Sequence, residues 1–121
     1  MIVVVETVPS KQKAFKFMSL FTTRVELHGA EGEDYEELHK EMEKEGFWRT
    51  IGIENKDVKY HLPTAEYNYG SRSSNSTTNT KEVLELAKKA ANRTKLTFSV
   101  LVTKVANDRR EWHNLDKVEK E

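Results

Sequence analysis

Two stretches of this chain alternate apolar and polar residues with a strict period of two, and nothing else in it limits the accessible folds as much. In Phe21-Thr22-Thr23-Arg24-Val25-Glu26-Leu27-His28, the side chains of Phe21, Thr23, Val25 and Leu27 share one face, and Thr22, Arg24, Glu26 and His28 share the other. Leu96, Phe98, Val100 and Val102 alternate in the same way with Thr97, Ser99, Leu101 and Thr103. Such a pattern specifies strands that bury one face and leave the other to solvent or to a partner.

Between these runs the period changes. Tyr35, Leu38 and Met42 predict a helix over residues 33–45, with Glu33, Asp34, Glu36 and Glu37 crowding its dipole-favoured first turn and Gly46 placed to stop it. Residues 48–53 and 58–62 are β-rich runs separated by Glu54-Asn55-Lys56-Asp57, which reads as a hairpin. Pro63 cannot donate a ladder hydrogen bond, so the second strand kinks there and resumes through Ala65, Tyr67 and Tyr69. Residues 70–79 are rich in Ser, Thr and Asn and predict a mobile loop. Asn79 followed by Glu82 is a capping-box pattern, opening a helix whose buried face is Val83, Ala87 and Ala90. Beyond the second alternating strand, Asn107-Asp108 predicts a turn into a short final strand over residues 110–115, then a charged tail, 116–121.

The order strand, helix, strand, strand, helix, strand predicts an α+β, ferredoxin-like βαββαβ domain over residues 18–115, an antiparallel sheet with two helices on one face. No predicted element covers the other sheet face. It must be solvated, bind something or pair with a second copy. Residues 1–17 lie outside the regular pattern and read either as a loosely attached extension or as an extra strand, residues 2–8, at a sheet edge.

Composition removes whole classes of function. A chain of 121 residues is one domain, and the absence of cysteine excludes a disulfide scaffold, a thiol nucleophile and Cys-ligated metal. The apolar start at residues 1–8 is too short for a membrane span and lacks the basic flank of a signal peptide, so the chain reads as cytoplasmic. Net charge is zero, against a polybasic nucleic-acid coater, yet residues 31–45 carry a net −6 and residues 86–110 a net +6. That asymmetry either steers a polyanion to one side or marks two solvated helix faces that attract each other between protomers.

No phosphate loop, nucleophile elbow or HExxH zinc motif is present, and His28, His39, His61 and His113 form no metal-spaced pair, so no cofactor and no metal are expected. His28 and His61 stand at strand ends on the polar faces. Metal-free RNA cleavage needs a base for the 2′-hydroxyl, an acid for the leaving oxygen and a cation for the phosphorane. An imidazole can do either proton job, and Arg24, Lys59 and Lys104 could supply the cation. Tyr67 and Tyr69, with Trp48, Tyr60 and Trp112, are candidates to stack bases; packing in a core or dimer is the plainer use of such rings.

The runs Phe21-Thr-Thr-Arg-Val-Glu-Leu-His28, Tyr60-His-Leu-Pro-Thr-Ala-Glu-Tyr-Asn-Tyr69, Ser99-Val-Leu-Val-Thr103 and Trp112-His113 resemble a bacterial family grouped with the GhoS endoribonuclease antitoxins of type V toxin–antitoxin systems. The resemblance covers about residues 19–115, which also favours a start at Met18. It implies a ferredoxin-like fold shared with small CRISPR-associated nucleases, a homodimer, and RNA cleavage that silences a toxin transcript. Metal-dependent nucleases of that fold place an Asp at the end of the first strand; here His28-Gly29 stands there, which argues against a Mg²⁺ mechanism. The expected site is therefore His28, His61 and Arg24 for catalysis, with Lys59, Lys104, Tyr67 and Tyr69 for RNA binding. The alternative is a non-catalytic interaction protein of phage or mobile-element origin, docking a defence or regulatory complex through Glu36, Glu37 and Glu41 on the acidic helix.

Overall fold

A computed structural model describes residues 19–52, 58–70, 73–75, 77–106 and 110–119. The expectations for residues 1–17, for the hairpin turn at 54–57 and for the turn at Asn107-Asp108 fall outside them. The chain is α+β, in the order β1 (Phe21–Leu27), α1 (Gly32–Lys44), β2 (Thr50–Gly52), β3 (Lys59–His61), β4 (Glu66–Tyr69), α2 (Thr80–Asn92) and β5 (Phe98–Lys104).

The first alternating run becomes the centre of a three-stranded antiparallel sheet ordered β4-β1-β5. Thr23 pairs with Tyr67 on one side and Val102 on the other, and Leu27 pairs with Phe98. Residues directly opposite in an antiparallel pair share a face, so this register gathers Phe21, Val25, Leu27, Tyr67, Tyr69, Phe98, Val100 and Val102 on one side. That side is the core. Phe21, Val25, Leu38, Met42, Val83, Ala87 and Ala90 are fully buried there, and Phe47 closes the cluster against both tyrosines. The alanines of α2 let its backbone approach the sheet closely.

Both helices end as their residues dictate. The Asn79 side chain accepts from Glu82 N at 2.9 Å, and Asn79 N donates to Glu82 Oε1 at 3.1 Å, the expected reciprocal box. Gly46, at φ +94°, turns the chain out of α1 while its N–H still bonds Glu43 O. A Cβ there would lie 2.6 Å from Ser73 Oγ.

Four expectations are corrected. First, β2 and β3 form a separate two-stranded sheet, so the sheet is not one continuous four-stranded array. The strand expected to kink at Pro63 divides instead into β3 and β4, because residues 62–65 turn through Ala65 at φ 73°. Second, residues 110–115 are not a strand. Pairing begins later, where Lys117 bridges Tyr60, His61 N donates to Asp116 O and Val118 N donates to Lys59 O. Third, the loop before α2 is anchored where it is described: Ser73 Oγ donates to Gly46 O at 3.0 Å, and Ser74 Oγ to Ser19 O. Fourth, the sheet's second face has partial cover within the chain, described next.

Candidate nucleic-acid interface

The register that builds the core also decides what stands on the opposite face. Thr22, Arg24 and Glu26 from β1 and His28 just beyond its end lie there, with Glu66 and Asn68 from β4 and Thr97, Ser99, Leu101 and Thr103 from β5 and its lead-in. Trp48 bridges Asn68 through two backbone hydrogen bonds (2.9 and 2.7 Å), which puts its indole, 37% exposed, at the same edge. The face carries hydroxyls, one imidazole and charges of both signs, with Leu101 as its exposed apolar residue.

His28 is held in place. Its Nδ1 lies 3.1 Å from Thr97 Oγ1 and its Nε2 3.0 Å from Ser99 Oγ. A hydroxyl both donates and accepts, so this pair can satisfy neutral imidazole and imidazolium alike by rotating a single O–H. Arg24 is loosely tied, its Nη1 3.8 Å from Glu66 Oε2, and its side chain remains 68% exposed. The C-terminal segment crosses onto the face at Arg110, whose Nη1 donates to Thr22 Oγ1 at 3.2 Å and Asn68 Oδ1 at 2.9 Å. From there the chain reaches β3, with Trp112 against Tyr60 at a ring separation of 5.6 Å.

The expected site residues are dispersed. His28 and Arg24 share a face, four residues apart, which at about 3.3 Å per residue separates them by about 13 Å. Lys104 pairs with Phe21 and so stands at the other end of the sheet from His28. Lys59 and His61 are exposed on β3, in the smaller sheet, and no hydrogen bond joins His61 to His28 among the described residues. Tyr67 and Tyr69 are buried in the core, packed on Phe47, and offer no face to a base. The acidic helix is also partly consumed. Glu41 is buried and accepts from Lys44 at 3.1 Å and Arg93 at 3.0 Å, while Arg93 and Lys89 also reach Glu45. The two oppositely charged regions thus attract each other within one chain, leaving Glu36 and Glu37 exposed but not Glu41.

Thr97, Ser99 and Arg110 were not expected at the site. Alternation places Thr97 and Ser99 on a polar face, but only the pairing of β5 with β1 brings them to His28. A second unanticipated group is internal: His39 Nδ1 lies 2.7 Å from the Tyr67 hydroxyl in the core. Burial, with Arg49 nearby, holds the His39 pKa below its ordinary value, and burial pushes the Tyr67 phenol well above its own. Among the described residues no cluster of His, Asp and Glu has the arrangement of a metal site, and no helix is long and apolar enough to cross a membrane. Compared with known proteins, the chain matches no family model, no curated protein and no solved structure.

Proposed function

We propose that this is a small RNA-binding protein of ferredoxin-like fold, antitoxin-like, that lays single-stranded RNA across the open sheet face and cleaves it there without metal. The observation that carries the reading is His28, exposed yet fixed by two hydroxyls on a polar sheet face. The Trp48–Asn68 bridge supports the fold, since it extends the strand order to β5-β1-β4 followed by the β2 lead-in, all antiparallel.

His28 takes or returns the proton at the reacting phosphate. Glu26 stands two residues away on the same face, about 7 Å along the strand, and serves as the second proton-transfer group. Arg24, too far to touch that phosphate, grips a neighbouring one. Trp48 offers an exposed ring for a flanking base.

The test is a labelled RNA pool incubated with purified protein, with and without EDTA. Cleavage is expected to survive EDTA, to fall by about 10²-fold or more in His28→Ala, and to persist in His61→Ala. Arg24→Ala is expected to weaken RNA binding and to reduce its salt dependence by about one ion. Equal cleavage by wild type and His28→Ala would remove the catalytic assignment. Absence of any RNA binding would favour the second reading, a protein that docks a basic partner through the exposed carboxylates of Glu36 and Glu37.

A further inference from the structure

β5 has an unusual outer edge. Its inner side pairs with β1 along all seven residues, while nothing among the described residues pairs with its outer side. Edge strands are ordinarily blunted by proline, glycine, a bulge or an internal charge; Phe98-Ser-Val-Leu-Val-Thr-Lys104 has none, its one charge being the last residue. Phe98, Val100 and Val102 face the core yet remain only half-buried, and Leu101 on the other face is 65% exposed.

The direction of the free backbone groups follows from the inner ladder. His28 N donates to Thr97 O and Val105 N donates to Leu20 O, so residues 97, 99, 101, 103 and 105 turn their N–H and C=O groups toward β1. Phe98, Val100, Val102 and Lys104 therefore turn theirs outward. We propose that this edge pairs with the same edge of a second copy, antiparallel, about a two-fold axis passing at Leu101.

The strand is complementary to itself in that register. Phe98 pairs with Lys104 of the partner subunit and Val100 with Val102 of the partner subunit, and these four residues are the ones with outward hydrogen-bonding groups. Ser99 meets the partner's Thr103, a hydroxyl pair, and Leu101 meets the partner's Leu101. The last two are non-hydrogen-bonded positions, where side chains approach closest. Lys104 never faces its own copy, so no like charges oppose across the axis. The interface is isologous and joins the two sheets in the order β4-β1-β5-β5-β1-β4. It does not depend on the RNA reading.

Leu101 permits a test that leaves the monomer fold intact, because its side chain is mostly in solvent. The mass of the full chain is measured by light scattering and native mass spectrometry at micromolar concentration. Wild type is expected as two copies of the 14.1 kDa chain. Leu101→Lys and Leu101→Glu each place like charges across the axis and are expected to raise the dissociation constant at least about a hundredfold. An equimolar mixture of the two variants is expected to restore a dimer containing one of each. A monomeric wild type would overturn the proposal, whether the edge is left bare or covered by residues 1–18. A dimer untouched by either substitution, or variants that stay monomeric when mixed, would overturn it as well.

Discussion

The buried His39 gives the clearest prediction at the residue scale. Its folded pKa is depressed by burial first and by Arg49 second, with Glu36 opposing. The unfolded chain takes up this proton near pH 6.5, whereas the folded one resists it. Stability from His39 is therefore fully present above about pH 6.5 and declines as pH falls below it. Glu41 behaves alike in a lower window: Lys44 first and Arg93 hold its carboxyl below 4.5, so its contribution is lost on acidification through that range. Urea unfolding at a series of pH values should show wild type weakening from pH 6.5 downward, while His39→Gln is flat until the carboxylates titrate. Parallel curves for the two proteins would contradict this account. Period alone makes Leu38 and Met42 legible as core, but not the burial of His39 between them, because no helical stripe reveals a tyrosine hydroxyl arriving from another strand.

At the scale of elements, local chemistry explains most of what was legible. Alternation located β1 and β5, the cap located α2 to within a residue, and the acidic first turn with Gly46 bracketed α1. Gly46 is required twice, by its positive φ and by the approach of Ser73. Gly46→Ala is expected to destabilise the protein by about 1–2 kcal/mol in thermal or urea unfolding, more than a residue at an ordinary φ would lose. The hairpin and the broken strand are less legible in the sequence. β3 and β4 each hold so few residues that pairing outside the chain's local pattern decides their limits, namely Trp48 against Asn68 and Lys117 against Tyr60. Ala65 in the left-handed region carried no warning, since alanine is not a turn residue.

For the whole molecule, the segment after β5 matters most. It holds Thr22 and Asn68 through Arg110, packs Trp112 at a tilt against Tyr60 and pairs with β3, tying the small sheet to the larger one. Trp112→Ala is expected to cost about 1 kcal/mol and to act locally. In hydrogen exchange, the His61 amide that donates to Asp116 should lose protection while the amides joining β1 and β5 keep theirs; uniform loss across both sheets would refute a local role. The candidate site was half legible for the same reason. Arg24 and His28 follow from one strand's alternation, whereas Thr97, Ser99 and Arg110 arrive from residues some 70 to 90 positions away in the chain, which no local pattern reports.

The central position of β1 also has a consequence for how the chain reaches this state. The first strand of the larger sheet acquires β4 from mid-chain and β5 only near the end, so most of its ladder closes loops of about 75 residues. High sequence separation of this kind slows folding, because chain entropy is lost before the contacts that compensate for it exist. During synthesis, β1 emerges well before β5 and waits for it with one edge unpaired. A chain that stops short of Phe98 would leave that strand half-paired, and such a species is a substrate for chaperones and proteases rather than a smaller working protein.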